Sequence, residues 1–454
     1  MSPASGISPA RAAAFEVLLR VATRDSYAVE LLHSNLLERL SLTDRALATE
    51  LVMGVLRWQQ MLDEHLQSAA GKSISRFDDE VKLALRLGAY QLLFLDRIPA
   101  RAAVNESVEL VKQHGKRSAG PLVNAVLRKL AGTPRAEVPM QEDTEGIARG
   151  YAHPLWLVQR WVENYGWEIA RGICAYDQQR PATTIRADPS RSAADLAAGW
   201  HLEPGSLVQG AWRIISDHAT QRRATPPGFS RPSSLPGEVF RRSVIQDEAS
   251  QLVGMLAKGA TILDCCAAPG GKSAIASEQN PAALVVSADL HLHRVKLMRE
   301  LTGTREVLAA DARRIPFVKL FDCVIADLPC TGTGTLARNP EIKWRLTKED
   351  IPRLAQLQTE ILESAAALLV RGGFLVYSTC SLEPEEGESV AEGFVRKHPA
   401  FRLKPVCTRL DELVKAGKVH ANAVDRLVKG PFLRTVPGVH QCDGFFAAII
   451  EHCE

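Results

Sequence analysis

Short apolar runs alternate with helical segments from residue 241 onwards, and this rhythm constrains the fold more than any other feature. Each run has the length of a strand and ends in polar or thiol residues. The alternation predicts an α/β domain over 241–454, a parallel sheet with helices on both faces. The predicted strands are TILDCC (261–266), LVVSADL (284–290), EVLAADA (306–312), DCVIADL (322–328) and FLVYSTC (374–380).

The first 132 residues show helical patterns only. Apolar residues recur at helical spacing from Ala14 to Val21, and Ser41-x-x-Asp44 resembles a capping box at the start of a helix. The pattern stops near two residues that end helices, Gly132 and Pro134. We therefore expect an all-α domain over 1–140.

A linker and a weakly patterned segment lie between these two regions. Residues 133–146 are polar and contain proline, which predicts a linker. Residues 147–240 hold five of the seven tryptophans. These aromatics could stack on bases, but a small α+β core explains them more simply. Two strands, ATTIRA (182–187) and AWRIIS (211–216), and one loop, TPPGFSRPSSLPG (225–237), are expected in this small α+β module.

Composition excludes several classes of protein. No stretch approaches the ~18 uninterrupted apolar residues of a membrane span, and the first residues lack the pattern of an export leader. Nine cysteines without a C-x-x-C pair do not suggest a disulfide scaffold or a zinc site. We expect a cytoplasmic protein with free thiols, no membrane segment and no metal.

One window of the helical region is basic, although the net charge of the chain is only +3. It contains no acidic residue between Lys112 and Lys129, and its basic side chains could bind a phosphate backbone. A solvated helix face is the alternative explanation. The basic window consists of Lys112, His114, Lys116, Arg117, Arg128 and Lys129.

The loop after the first predicted strand of the sheet has the features of a ligand site. AAPGGKS (267–273) opens a helix, and its glycines let a ligand approach the backbone. A P-loop is excluded because Cys266 stands where its first glycine is needed. A G-x-G-x-x-A pattern does occur from Gly332 to Ala337, but it follows the wrong strand. A nucleoside ligand without a pyrophosphate, such as S-adenosylmethionine (SAM), fits these observations.

Carboxylates stand at the ends of successive predicted strands, where such sheets bind their ligands. Asp289 suits a ribose diol, and Asp311 could accept a hydrogen bond from an adenine amino group. Any single one of these aspartates could instead be a turn or cap residue. Four of them at successive strand ends, Asp264, Asp289, Asp311 and Asp327, favour a site.

Two cysteines also follow strands, Cys330 in ADLPCTGTG (326–334) and Cys380 in YSTCS (377–381). A buried structural cysteine is the ordinary alternative. A thiolate nearby suits a methyl donor, because its addition to carbon 6 of a pyrimidine makes carbon 5 nucleophilic. Asp327 could protonate or hydrogen-bond the cytosine edge and so favour this addition.

These motifs together resemble the RNA cytosine carbon-5 methyltransferases, the group that includes the Sun/Fmu-type enzymes of bacteria. The helical region resembles the NusB RNA-binding domain through DRALATELVMGVLRW (44–58) and GPLVNAVLRKL (120–130). The motifs of the methyltransferase likeness are LDCCAAPGGKS (263–273), ADLPCTGTG with LARNPEIKWR (326–345), YSTCSLEPEE (377–386) and RTVPGVHQCDGFFAAIIE (434–451).

The resemblance implies a role for each matching position. Cys380 would be the nucleophile, Cys330 would assist product release, and Asp327 would serve both the reaction and the pocket. The fusion of the two domains is typical of bacterial members that methylate cytosine 967 of 16S rRNA, and we expect a monomer. The SAM-binding residues would be Cys266, Ala267, Ala268, Pro269, Gly270, Gly271, Lys272, Asp289, Asp311 and Asp327.

Other functions stay open at this point. The target could be tRNA or another RNA. Asp327-Leu-Pro-Cys330 also resembles the D-P-P-Y motif of exocyclic-amine methyltransferases, although it lacks the aromatic residue and leaves Cys380 unexplained. A non-catalytic NusB-like antitermination factor is the third alternative, and the intact loop and both thiols argue against it.

Overall fold

The computed structural model describes residues 6–24, 26–132, 143–187, 201–215, 244–302, 306–318 and 320–453, and these residues form two compact units. The first unit holds the described residues up to 180 together with 336–344. The second holds those of 181–215, 244–335 and 345–453. The predicted domains 1–140, 147–240 and 241–454 stay a prediction. The predicted loop 225–237 and most of the linker lie outside the described residues.

The first unit is helical, as the sequence predicts. The Ser41 side chain caps the long helix, since its Oγ accepts a hydrogen bond from Asp44 N at 3.1 Å. The helices are α1 (Pro9–Thr23), α2 (Ala28–Leu32), α3 (Asn35–Glu38), α4 (Leu42–Ala70), α5 (Asp79–Phe94), α6 (Ala100–Gln113), α7 (Gly120–Ala131), α8 (Thr144–Gly150), α9 (Leu155–Tyr165) and α10 (Trp167–Asp177).

The apolar stripes of α1 and α4 to α7 face one another and form the core of this unit. Phe15, Leu51 and Leu85 are fully buried there. At Gly54 the packing leaves no room for a side chain, because a Cβ atom would lie 1.9 Å from Cζ of Tyr90. The helical pattern of the sequence thus reflects one continuous core.

A segment from the C-terminal half, residues 336–344, packs inside the helical unit. Trp344 Nε1 donates to Leu56 O at 2.6 Å, and Lys343 Nζ donates to Arg57 O at 3.1 Å. Lys343 is only 1% exposed, and burial lowers its pKa to about 7. Lysine is rarely buried so completely, so the location of this segment could not be predicted from its composition.

The second unit is built on a mixed sheet in the order β11-β12-β13-β9-β8-β5-β6-β7, with β10 paired to β13. All five predicted strands are present, and they pair in parallel. The strands of this sheet are β5 (Thr261–Asp264), β6 (Leu284–Asp289), β7 (Val307–Ala309), β8 (Phe321–Asp327), β9 (Leu369–Thr379), β10 (Phe401–Lys404), β11 (Val428–Lys429), β12 (Phe432–Thr435) and β13 (Phe445–His452).

Helices cover both faces of this sheet, as predicted. Neighbouring residues of a strand point to opposite faces, and Ile262 and Leu263 accordingly belong to two different apolar clusters. The helices of this region are α11 (Glu248–Met255), α12 (Gly271–Gln279), α13 (Leu292–Thr302), α15 (Asp350–Ala366), α16 (Glu388–Lys397), α17 (Val406–Lys415) and α18 (Val424–Leu427). Of these, α11 and α17 contribute to one cluster, and α15 and α16 contribute to the other. The short helix α14 (Ile342–Arg345) belongs mostly to the segment 336–344 of the first unit.

The antiparallel strands at one edge were not predicted. β13 pairs antiparallel with β9, with Phe446 opposite Thr379 and Ile450 opposite Leu375. A second, antiparallel sheet in the order β2-β3-β1-β4 also belongs to this unit, and its β1 and β3 match the two strands expected in the small module. Its strands are β1 (Thr183–Arg186), β2 (His201–Pro204), β3 (Ala211–Ile215) and β4 (Val244–Ile245).

Candidate active site

The loop between β5 and α12 crosses the end of β6. Ala267 N donates to Ala288 O at 2.8 Å, which fixes the loop to the neighbouring strand. Gly270 has a φ of 101°, and a Cβ atom there would lie 2.8 Å from Cγ of Met298. Both observations require glycine at this position. The loop therefore delivers the N-terminus of α12 to the carboxyl edge of the sheet, where an anionic or polar group can bind.

Asp264 is a buried carboxyl group beneath this loop. Its Oδ2 accepts from Ser273 Oγ at 2.6 Å, whereas its Oδ1 has no hydrogen-bond partner among the described residues. Burial is the main cause that raises the pKa of Asp264 to about 7. A buried acceptor without a donor is costly, and the amino group of a bound ligand could satisfy it.

Lys272 and Asp327 form an ion pair at the centre of the site. Lys272 Nζ lies 2.6 Å from Asp327 Oδ2 and 5.1 Å from the ring centre of Phe445. Ser378 Oγ donates to the other carboxylate oxygen of Asp327 at 2.8 Å. Burial alone would lower the pKa of Lys272, but the charge and hydrogen bond of Asp327 outweigh it and raise that pKa.

The Asp289 carboxylate, at the end of β6, faces the loop. It accepts from Ala268 N at 3.3 Å and from His291 N at 3.1 Å, and Arg294 Nη1 lies 3.6 Å away. Asp289 is thus already part of the wall of the crevice, with one oxygen bound to the backbone of the predicted SAM loop.

The Asp311 carboxylate binds a neighbouring residue. It caps a short turn and accepts from Arg313 N at 2.9 Å and from Arg313 Nη2 at 2.7 Å. These contacts with Arg313 lower the pKa of Asp311. A ligand that used this carboxylate would compete with the Arg313 side chain.

The two predicted thiols are adjacent. The strands β8 and β9 are parallel neighbours, so the loops that follow them meet at one edge, and Cys330 Sγ lies 3.3 Å from Cys380 Sγ. The hydrogen bond with Cys380 and burial raise the pKa of Cys330 well above its ordinary value. The short distance between the two sulfurs allows a hydrogen bond between the thiols.

Three side chains around these thiols were missed by sequence reasoning. Ser378 contacts Asp327, and Gln358 donates to Pro329 O beside Cys330. Glu386 accepts from Thr331 N beside Cys330 and from Ser381 Oγ beside Cys380. The segment YSTCSLEPEE holds two of the three, but a motif does not tell which of its acids turns inwards. Gln358 lies on α15 in a stretch without any motif.

The basic window in the first unit is partly neutralised. Lys112 pairs with Glu109 at 2.7 Å, and Lys116 pairs with Asp78 at 2.7 Å. Lys129 Nζ donates to Ala69 O at 3.1 Å. Arg117 and Arg128 are exposed. These two arginines are consequently the side chains of the window best suited to a phosphate.

The described parts of the chain were searched for membrane-spanning helices and for groups of side chains that could hold a metal ion. Within these parts, no helix combines the length and apolar character that crossing a bilayer requires. No group of three or more His, Cys, Asp or Glu side chains in those parts is arranged to hold a metal ion.

Solved structures with a similar fold support the architecture. The crystal structure of PH0851 aligns with a TM-score of 0.75 at 23% identity and covers 98% of this chain and 99% of its own. The structure of NSun6 from Pyrococcus horikoshii with SFG aligns with a TM-score of 0.52 at 19% identity, over 66% of this chain and 98% of that one. At these identities the likenesses show the fold alone, a Rossmann-like sheet that follows a helical N-terminal region.

Sequence comparison identifies the families that the two parts of the chain match. The family model described as 16S rRNA methyltransferase RsmB/F matches residues 253–451, and the NusB family model matches residues 8–132. The ribosomal RNA small subunit methyltransferase B of Vibrio cholerae is 33% identical over 90% of this chain and 89% of its own length. The protein from Bacillus subtilis described as probable ribosomal RNA small subunit methyltransferase B is 33% identical, over 95% of this chain and 96% of its own length.

The chain therefore belongs to the 16S rRNA methyltransferase RsmB/F family, a family of SAM-dependent enzymes. The predicted family, fold class and enzyme class are confirmed. The roles of individual site residues, the target nucleotide and the predicted monomer stay predictions.

Proposed function

We propose that this enzyme transfers a methyl group to carbon 5 of one cytosine in 16S rRNA, cytosine 967, through a covalent bond between Cys380 and the base. The observation that carries the proposal is the pair of thiols 3.3 Å apart beside the Lys272–Asp327 ion pair. An amine methyltransferase has no use for two adjacent thiols. A ribosomal RNA substrate would place the enzyme in the cytoplasm.

The first step joins Cys380 to the base. Its Sγ, as a thiolate, forms a bond to carbon 6, and the electrons of the carbon 5–carbon 6 double bond shift towards carbon 5. Asp327 hydrogen-bonds the amino edge of the cytosine and thereby favours this addition. Lys272 holds the Asp327 carboxylate in place, since the two groups lie 2.6 Å apart.

The second step takes up the methyl group and frees the RNA. Carbon 5 would form a bond to the methyl carbon as the bond from that carbon to the sulfur of the donor breaks, and the donor would leave as a neutral thioether. A base removes the proton from carbon 5, the double bond re-forms, and the bond between Cys380 Sγ and carbon 6 breaks. Cys330 assists this departure because its Sγ lies 3.3 Å from the leaving sulfur, within reach of a hydrogen bond from its thiol. Its raised pKa favours the thiol form that this role needs. A hydrogen bond to a developing thiolate lowers the cost of its charge.

SAM would bind beside these residues and supplies the methyl group as an electrophile when it is bound. The Asp264 oxygen without a partner and the Asp289 carboxylate are acceptors for its amino and hydroxyl groups. The loop from Cys266 to Lys272 would approach its backbone side, and Asp311 would lie towards the adenine.

Replacing Asp289 by alanine should weaken SAM binding. One or two charge-assisted hydrogen bonds would be lost, each worth about 1.5–3 kcal/mol, so the dissociation constant should rise at least about tenfold. Titration calorimetry measures it. Asp289→Asn, which keeps an acceptor for Ala268 N, should lose less. Unchanged affinity in a folded Asp289→Ala variant would refute the ribose assignment.

Reversing the charges of Arg117 and Arg128 should weaken RNA binding by the full-length protein and flatten its dependence on salt. Both side chains are exposed in the basic window, and each phosphate contact contributes about 0.7–0.9 to the slope of log K against log salt. The control is Lys258→Glu, since Lys258 is 59% exposed but lies in the second unit and pairs with Glu412. A wild-type slope in the double Arg→Glu variant would exclude the window as a phosphate site.

A further inference from the structure

Glu386 is a buried carboxylate with no role in the chemistry described above. It ends the short turn Pro384–Glu386 that follows β9, and it has no exposed surface. Burial is the main cause that raises its pKa above the ordinary value. A buried carboxyl group is costly unless several donors compensate it, so its surroundings should show what it stabilises.

Two residues that bind the Glu386 carboxylate lead to the Cys330 loop. Thr331, the residue after Cys330, donates from its backbone N to Oε1 at 2.9 Å and from its hydroxyl to Oε2. Gln358 Nε2 donates to Oε1 at 3.0 Å and also to Pro329 O at 3.0 Å. The residues on both sides of Cys330 are thus connected to Glu386.

The remaining contacts lead to the Cys380 loop. Ser381 Oγ donates to Glu386 Oε2 at 2.6 Å, and Thr379 Oγ1 donates to Glu386 O at 3.2 Å. Tyr377 OH donates to the same carbonyl oxygen at 2.6 Å. Cys380 is therefore also flanked on both sides by residues that bind Glu386.

We propose that Glu386 is a positioning residue that sets the separation and direction of the two thiols by binding both of their loops. The proposal rests on the two-thiol reaction proposed above. A carboxylate suits this task because it is an acceptor only, with about four lone-pair sites, and four donors converge on it here. An amide would turn an NH₂ group towards part of this set.

The geometric test measures how fast Cys330 and Cys380 form a disulfide on oxidation, and it needs neither RNA nor SAM. Hydrogen peroxide can convert Cys330 and Cys380 to a disulfide, with both thiol hydrogens leaving as the O–O bond breaks to give two waters. Closure should be fast in the wild type because the sulfurs are 3.3 Å apart, and about tenfold slower in Glu386→Ala. Peptide mapping after alkylation follows this one pair among the cysteines.

The functional test measures covalent RNA adduct in the Cys330→Ala background, where only the Cys380 step is needed. Adding Glu386→Ala should slow adduct formation on the order of 100-fold, the scale of a misplaced catalytic group. In turnover with Cys330 present, kcat should fall while the KM for RNA and the affinity for SAM hold. Glu386→Gln should restore part of both rates, because it keeps the shape and some of the acceptors.

Glu248 is the matched control in the same unit. It is equally buried and accepts from Leu207 N at 2.9 Å and Val208 N at 3.1 Å, away from both thiol loops. Glu248→Ala should lower thermal stability while leaving disulfide closure and adduct formation near wild-type rates. If Glu386→Ala behaves like Glu248→Ala, the positioning role is wrong.

The two proposals fail separately. Absence of any adduct in Cys330→Ala with Glu386 intact would overturn the two-thiol reaction, whereas disulfide closure would still report on Glu386. Should Glu386→Ala not fold, wild-type closure and adduct rates in Glu386→Gln would overturn the positioning role. Slowed closure and slowed adduct formation in Glu386→Gln, with unchanged SAM affinity, would support it.

Discussion

Cys330→Ala should accumulate a covalent protein–RNA conjugate, and Cys380→Ser should form none. Cys380 is proposed to make the bond to carbon 6, and a serine hydroxyl is a far weaker nucleophile at neutral pH. Turnover by Cys380→Ser should fall by at least about 10³-fold, on the scale of other enzymes that lose a covalent nucleophile. Cys330→Ala should still attack the base but lose the thiol that assists departure. Denaturing gels with labelled RNA and SAM separate the two outcomes.

A cysteine outside the site provides the control for this experiment. Cys407 lies on α17 and is partly exposed, so Cys407→Ala should turn over normally and leave no conjugate. If Cys380→Ser accumulated the conjugate and Cys330→Ala did not, the nucleophile would be Cys330. If neither thiol mattered in folded variants, the carbon-5 mechanism would be wrong and amine methylation would become the better hypothesis.

Asp327→Ala should reduce methyl transfer by about 10²- to 10⁴-fold, the usual range for a group that moves or holds a proton in the transition state. The variant also removes the partner of Lys272 at 2.6 Å and the acceptor of Ser378 Oγ at 2.8 Å. Single-turnover kinetics with saturating SAM would measure the loss.

The same strand offers a matched control for Asp327. Asp322 lies at the other end of β8, where its Oδ2 accepts from Ala260 N at 2.9 Å and Thr261 N at 2.8 Å. Asp322→Ala should cost about 1–3 kcal/mol of stability and leave the single-turnover rate unchanged. Equal kinetic losses in both variants would mean that Asp327 acts on the stability of the strand and not on the base.

The parallel strands and the site could be predicted because they depend on local patterns. A run such as DCVIADL marks both a buried strand and the residue at its end, and the topology then brings Asp327 and Cys380 to one edge. The antiparallel strand FFAAIIEH (445–452) has an equally apolar sequence, but it lacks the strand–helix rhythm that reveals pairing. The pairing of this strand with β9 therefore depends on the rest of the fold and could not be predicted from the local sequence.

The hydrogen-bond partners of the site side chains could not be predicted from the sequence. Asp289 and Asp311 were predicted as ligand-binding carboxylates, and the structure shows that backbone N–H groups and arginines already bind them. The turn after β9 directs the Glu386 side chain into the protein. The neighbouring residue Glu385 is also a glutamate, so the sequence does not tell which of the two is buried. Such networks depend on rotamers and on donors far apart in the chain.

The segment 336–344 has a consequence for the order in which this protein is made. Ribosomes release the N-terminus first, and domains tend to fold as they emerge. The helices up to α10 are complete long before Lys343 and Trp344 exist, so the carbonyl groups of Leu56 and Arg57 cannot yet receive these donors. While the first strands of the sheet are being synthesised, the nascent helical unit therefore lacks the hydrogen bonds that Lys343 and Trp344 later donate to it. This unit can complete its packing only during the last quarter of translation, whereas a free-standing N-terminal domain can do so as soon as it has emerged.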